Sequence, residues 1–307
     1  MFGKICGTGA YAPPVFVEND DLAKIVDTND TWIRERTGIG RRHIAKEESA
    51  EMMAVKAARQ ALSNSTLSPE EIELILVSTI SPDHILPCTA CEVQKQIGAV
   101  QAVCFDLNAA CAGFLYAYNT AQAYIQSGIY KNVLVIGTER LSNLVDWNDR
   151  STCILFGDGA GAVVLQAREH GLHAMTAHSD GEKGNALLCR TDGKIQMDGQ
   201  EVFRFAVRKV PECIQELLQK EQIHPDEIDY FILHQANQRI IEAVAKRLHL
   251  PLERFPMNLQ EYGNTSSASI PILLHEWNKK GKLKPGMKLI LAGFGAGLSW
   301  GASLLEW

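Results

Sequence analysis

Residues 68–79 read SPEEIELILVST, and residues 224–235 read HPDEIDYFILHQ. Each sets a proline near a helical start, follows it with a Glu-Ile step, and runs into an apolar strand. Pro69 and Pro225 stand 156 residues apart in a chain of 307. Farther along, a helix opens at Cys111, closes at Gly128 and leads to NVLVIGT (132–138). A second helix opens near Asn264, closes at Gly281 and leads to KLILAGF (288–294). The spacings Cys111 to Asn264 and Gly128 to Gly281 are both 153. Three landmarks in order at nearly one offset predict a duplicated α/β unit. On this reading Cys111 and Asn264 hold equivalent places in the two halves.

Short runs such as LILVST, NVLVIG and YFIL suit strands covered on both faces. The helix CAGFLYAYNTAQAYIQS (111–127) is apolar around most of its circumference, which predicts a central buried helix. Two sheets sandwiching such helices give an α/β fold of five layers, α-β-α-β-α. The expected division is a first half over 1–167, a connecting surface excursion over 168–200 and a second half over 201–307. The excursion is expected because that stretch is polar and punctuated by glycine.

A chain of this length buries a sizeable core without disulfide staples. Hydrophobic residues make up 46% and charged residues 21%, so disorder is not expected. The net charge of −6 excludes a general nucleic-acid binder. No run of about 18 apolar residues predicts a membrane span, and the opening MFGKICGTGAY reads as a strand rather than a signal peptide. The eight cysteines then fit a reduced, cytoplasmic protein in which most are small buried hydrophobes.

Three residues carry chemistry. Cys111 stands where the strand AVCFDLN meets the central helix. Unpaired N–H groups and the positive end of the helix dipole at such a junction favour thiolate and can receive an oxyanion. A core cysteine would occupy the same place, so position alone does not decide. His234 ends the strand YFIL, and strand C-termini are where sites collect in α/β sheets; taken alone it suits a structural role as well. Asn264 precedes an apolar helix, where Asn serves ordinarily as an N-cap. The repeat changes the balance by bringing both helix starts toward the molecular centre. Cys, His and Asn converging in a dry pocket suit thioester chemistry, with a thiolate nucleophile and two donors for a developing enolate.

DLNAACAGF (106–114), HQAN (234–237), GNTSSAS (263–269) and GFGAGLSWG (293–301) together resemble the β-ketoacyl-[acyl-carrier-protein] synthase III family of the thiolase superfamily. DTNDTWIRERTGI (27–39) and FGDGAGAVVL (156–165) extend the resemblance almost end to end. It implies that Cys111 accepts an acyl group from acyl-CoA. His234 and Asn264 then stabilise the enolate left when malonyl-acyl carrier protein loses carbon dioxide. It further implies an oxyanion hole from the amides of Cys111 and Ala296, in Gly295-Ala296-Gly297 where the family commonly has three glycines. CoA contacts are implied at Thr28, Trp32, Arg36, Arg150 and Asn237. A homodimer is implied, in which SPDHILP (81–87) crosses to the partner's acyl pocket, with Leu86 where an aromatic side chain often stands. No cofactor is expected beyond the CoA and carrier-protein thioesters.

A stripe of Arg204, Arg208, Arg239, Lys246 and Arg247 would attract an acidic carrier protein, although a solvated helix face has the same pattern. Cys88-Thr-Ala-Cys91 has no second ligand pair at zinc spacing, so no metal is expected. GDGAGA (157–162) leads into a strand rather than a helix and is read as a tight hairpin turn, not a phosphate loop. Three other readings stay open: a synthase for a specialised starter, a cysteine hydrolase, and a non-catalytic carrier-binding subunit. The last normally lacks the nucleophile.

Overall fold

The computed structural model describes residues 1–307. Its first sheet has five strands: β1 (Phe2–Tyr11), β2 (Leu74–Ser78), β3 (Val103–Leu107), β4 (Asn132–Glu139) and β5 (Gly159–Arg168), in the order β1-β5-β4-β2-β3. The second has four: β6 (His173–Ser179), β7 (Tyr230–Leu233), β8 (Lys288–Gly295) and β9 (Ser299–Glu306), in the order β7-β8-β9-β6. Among the helices, α1 (Asp30–Thr37), α2 (Ala50–Ser63), α3 (Thr89–Ile97) and α4 (Gly113–Gln126) belong to the first half. α5 (Gly199–Lys220), α6 (Gln238–Leu248) and α7 (Ser269–Lys279) belong to the second.

Strand alternation builds the layers. Leu74, Leu76, Val133 and Val135 face inward with Leu289 and Leu291 of the other sheet, and α4 and α7 fill the space between through Phe114, Leu115, Ile270 and Leu273. Ile75, Val77, Leu134 and Ile136 face outward under α2 and α3. Ile290 and Ala292 face outward under α5 and α6, with Phe205 and Ile241. A strand whose two faces are both covered must be apolar throughout, which is why LILVS and KLILAGF lack alternation. The five-layer α-β-α-β-α expectation holds, and α4 is the buried central helix.

The internal register differs from the one read in the sequence. Leu74 and Tyr230 open equivalent strands, Asn132 and Lys288 open the next pair, and Gly113 and Ser269 open the central helices. Every one of these pairs is 156 apart. The 3-10 turns ahead of the helices, Ala110–Ala112 and Ser266–Ala268, follow the same offset. So do two left-handed residues, Ala110 at φ 48° and Ser266 at φ 49°. Asn264 is therefore the counterpart of Asn108, and the counterpart of Cys111 is Ser267. The 153 spacing arose because α7 stops about one turn early, shifting its closing Gly281 by three residues.

Two further expectations are corrected. Within 168–200, residues 173–179 form β6, the edge strand of the second sheet, paired with β9. Its mixed polarity reflects an edge strand with one open side, which sequence reading takes for loop. The GDGAGA glycines are not a hairpin turn: Gly159 and Gly161 lie inside β5, paired on both sides. A Cβ at Gly161 would stand 2.6 Å from the Ile272 nitrogen, so this glycine lets α7 close onto the sheet.

Candidate active site

Strand β3 ends in a turn that the sequence strains deliberately. The Asn108 side chain accepts the Ala110 N–H at 3.2 Å, and Ala110 takes the left-handed conformation that non-glycine residues avoid. That turn presents Cys111 inside the protein, 7% exposed. Behind it runs β8, where a Cβ on Gly295 would stand only 2.7 Å from the Cys111 nitrogen. No other residue type lets strand and turn approach so closely. The N–H groups of Cys111 and Ala296 have no hydrogen-bond partner in the fold. Both residues border one small apolar recess with Ile80, Leu141, Phe156 and Leu188.

The second half presents its turn differently. Asn264 Oδ1 accepts the Ser266 N–H at 2.8 Å, the counterpart of the Asn108 bond. This turns its amide NH2 toward the cavity that Asn264 shares with Cys111 and His234. His234 follows β7 and is 1% exposed, its ring edge-on to Phe294 with centroids 5.3 Å apart. His234 Nδ1 lies 2.7 Å from Ser269 Oγ. Burial pushes the His234 pKa down to about 3, so the imidazole is neutral at physiological pH. It therefore enters chemistry as a hydrogen-bonding group, not as a cation.

Cys111 departs from the expectation of a thiol acidified by its helix. Burial, first, pushes its pKa up to about 12; the Ser266 hydroxyl beside it works the other way, and the nearby Glu139 carboxylate raises it further. The resting nucleophile is a thiol. Glu139 went unnoticed in the sequence although it ends β4, the kind of strand terminus that drew attention to His234. Its buried carboxylate accepts bonds from Ser81 Oγ at 2.7 Å, Ser267 Oγ at 2.8 Å, Ile80 N at 3.0 Å and Ser266 Oγ at 3.1 Å. Burial raises its pKa against those bonds. Glu139 thus ties both halves together directly beneath the nucleophile. Ser269, Phe294 and Gly295 also went unread.

Cys111, His234 and Asn264 share the inner end of a cavity of about 670 Å³. Trp32, Arg36 and Asn237 line its outer part. The Arg150 guanidinium lies 5.0 Å from the Trp32 ring centre and donates to the Asp27 carbonyl at 2.8 Å. Asn237 caps α6 through the Arg239 N–H and donates to the Arg36 carbonyl at 3.0 Å. Thr28 does not line the cavity, and its buried hydroxyl has no partner. The 168–200 segment supplies wall residues, Leu187, Met197 and Gln200 among them, so it is not merely an excursion.

The basic stripe is split. Arg204 and Arg239 border a shallow recess with Arg36 at the cavity mouth. Arg208, Lys246 and Arg247 are exposed but do not line it. Arg204 is paired with Glu201 at 3.0 Å, and Arg208 lies 3.8 Å from Glu212. Leu86 does not line the cavity of its own chain: it is 84% exposed on a loop tip beside Ile85. Cys88 and Cys91 lie 3.4 Å apart as thiols, and no group of three or more His, Cys, Asp or Glu is placed to hold a metal ion. No helix is long and apolar enough to cross a membrane.

Two family models match the chain. 3-Oxoacyl-[acyl-carrier-protein] synthase III covers residues 105–181, and its C-terminal model covers 218–307. The β-ketoacyl-[acyl-carrier-protein] synthase III of Aquifex aeolicus is 50% identical over the whole of both chains. A crystal structure of the synthase III from that organism superposes with a TM-score of 0.98, covering 99% of this chain and 100% of that one. The priming β-ketosynthase of the R1128 polyketide pathway superposes at 0.96 with 35% identity, covering 99% of this chain and 96% of that one. With its thiolase-like layers and its cysteine at the meeting of the two halves, the chain belongs to the β-ketoacyl-[acyl-carrier-protein] synthase III family, the acyl-transferring condensing enzymes that initiate fatty acid synthesis.

Proposed function

We propose that Cys111, His234 and Asn264 carry the two half-reactions of this condensation. In the first, the Cys111 sulfur attacks the carbonyl of an acyl-CoA. The tetrahedral oxyanion takes up the free amides of Cys111 and Ala296, CoA leaves, and the thiol proton ends on its sulfur. In the second, malonyl-acyl carrier protein binds with its thioester oxygen between the His234 imidazole and the Asn264 amide. Carbon dioxide leaves, the carbon so freed attacks the acyl-Cys111 carbonyl, and Cys111 departs and is reprotonated. Loss of carbon dioxide supplies the driving force, so neither metal nor organic cofactor takes part. The observation that carries this reading is the set of unused donors, two backbone amides and one side-chain amide, around a buried cysteine.

Trp32 and Arg150 would hold the CoA base and Arg36 its phosphates, an aromatic face and guanidinium groups being suited to both. Asn237 would lie along the path of the pantetheine arm, with Thr28 at its margin. Arg204 and Arg239 beside Arg36 would meet the acidic carrier protein at the mouth, with Arg208, Lys246 and Arg247 acting only at longer range. The enzyme works as a homodimer in which exposed Ile85 and Leu86 enter the partner's site. Exposed Val100 and Val103 near the edge strand β3 support that arrangement. Eight unpaired cysteines fit the reducing cytoplasm.

Intact-mass measurement tests the chemistry. Acetyl- or isobutyryl-CoA should leave one acyl adduct on wild type and none on Cys111→Ala, and malonyl-acyl carrier protein should discharge it as β-ketoacyl carrier protein. Discharge to free acid would instead mark a hydrolase. The likeness to a priming β-ketosynthase keeps a specialised starter in view, and identification of the released β-ketoacyl product separates the two pathways.

A further inference from the structure

We propose that Ser269 is a positioning residue that fixes the tautomer of His234, holding the imidazole proton on Nε2, where it faces the thioester oxygen. This rests on the decarboxylative role given to His234 above and extends it to the residue on which that role depends.

The argument is one of donors and acceptors. Ser269 Oγ is 3.3 Å from the Gln235 N–H and 2.7 Å from His234 Nδ1, and it makes no other hydrogen bond. A backbone N–H can only donate, so Oγ accepts from Gln235. The hydroxyl has a single proton, and His234 Nδ1 is the only acceptor within its reach. Were Nδ1 protonated, two donors would converge on Oγ and the hydroxyl proton would be stranded. Ser269 is 2% exposed and His234 1%, so water cannot rescue it. The satisfied arrangement has Ser269 donating to Nδ1, which leaves the ring proton on Nε2. That nitrogen has no protein partner and opens onto the cavity.

The duplication shows the pair as a feature of one half only. The counterparts of His234 and Ser269, at the same offset of 156, are Ser78 and Gly113. There the first half keeps no hydroxyl on the helix start, and Ser78 Oγ is buried without a partner. A Cβ on Gly113 would meet that oxygen at 2.0 Å. Imidazole and hydroxyl thus occur together at the fold position that faces the condensation chemistry, and the other half has neither.

Two measurements test the assignment. Long-range proton–nitrogen correlation spectra of wild type labelled at histidine should show Nε2 protonated and Nδ1 bare; a proton on Nδ1 overturns the proposal. In Ser269→Ala, release of carbon dioxide from malonyl-acyl carrier protein should fall roughly 10- to 100-fold, toward the loss of a whole oxyanion donor. Acyl transfer to Cys111 should stay within about threefold. Ser269→Thr, which keeps the hydroxyl, should recover most of the decarboxylation. Unchanged carbon dioxide release in Ser269→Ala, or equal losses in both half-reactions, overturns it as well. Should Ser269→Ala fail to fold, the wild-type spectrum still decides. If wild type itself releases no carbon dioxide, the condensing role of His234 falls, and the kinetic part of this proposal with it.

Discussion

Gly295→Ala probes the oxyanion hole without touching a reacting side chain. The added Cβ would stand 2.7 Å from the Cys111 nitrogen, 3.1 Å from its Cβ and 3.2 Å from the Ala112 nitrogen. Comfortable packing needs about 3.5 Å, so the turn or the strand must yield by roughly 0.8 Å. Gly295 is held in β8 opposite Ser299, and the turn is held by α4, so neither yields freely. A hydrogen bond of about 2.9 Å from the Cys111 amide to the oxyanion would stretch toward 3.7 Å, beyond useful range. Losing one such donor typically costs 10²- to 10³-fold, about 2.7–4 kcal/mol. Overpacking should lower stability by about 1–3 kcal/mol as well. The assay is single-turnover acylation by acyl-CoA, followed by intact mass, beside alkylation of the same thiol by iodoacetamide. Acylation should drop on the order of 10²-fold. Alkylation, which builds no oxyanion, should change only a few-fold. Acylation within threefold of wild type, in a variant shown to be destabilised, would refute an oxyanion hole built on the Cys111 amide.

Because the resting Cys111 is a thiol with its pKa pushed up to about 12, iodoacetamide alkylation should rise about tenfold per pH unit from 7 to 9; a plateau near neutrality would mean a resting thiolate. Glu139→Gln should act in opposite directions on two readouts. Stability should fall by about 2–4 kcal/mol as donors such as Ile80 N lose their acceptor, while alkylation of Cys111 speeds up once the neighbouring charge is gone; slower alkylation would contradict that electrostatic sign. Trp32→Ala should raise KM for acyl-CoA roughly tenfold with kcat within threefold, and an unchanged KM would remove Trp32 from the CoA site. His234 is buried neutral, with a pKa of about 3 against about 6.5 unfolded. Below pH 6.5 only the unfolded chain takes up that proton, so the stability it contributes is whole above 6.5 and declines toward pH 3. Urea denaturation at pH 7 and pH 5 should show wild type losing about 2 kcal/mol more than His234→Gln, and equal losses would break the link.

The sequence by itself determined the duplicated halves, the layered sheets and the three residues of the site. Apolar runs without alternation are enforced by burial on both faces, and a proline-led strand start is enforced by backbone sterics, so both leave marks that read locally. Cys111, His234 and Asn264 were legible because each stands at the end of a strand or the start of a helix. Tertiary structure alone decided the rest. The register of 156 rather than 153 depends on where α7 stops, and that follows from packing, not from its closing glycine. Leu86 faces away from its own cavity because the loop's course is set by long-range contacts. The thiol state of Cys111 was misjudged because the helix start is visible in sequence, whereas the burial and the Glu139 carboxylate that outweigh it are brought there from other strands. Ser269 acquires meaning only once β7 and α7, 35 residues apart at the contact, lie side by side. A local pattern can name a reactive group; its protonation state is set by neighbours that only the folded chain brings near.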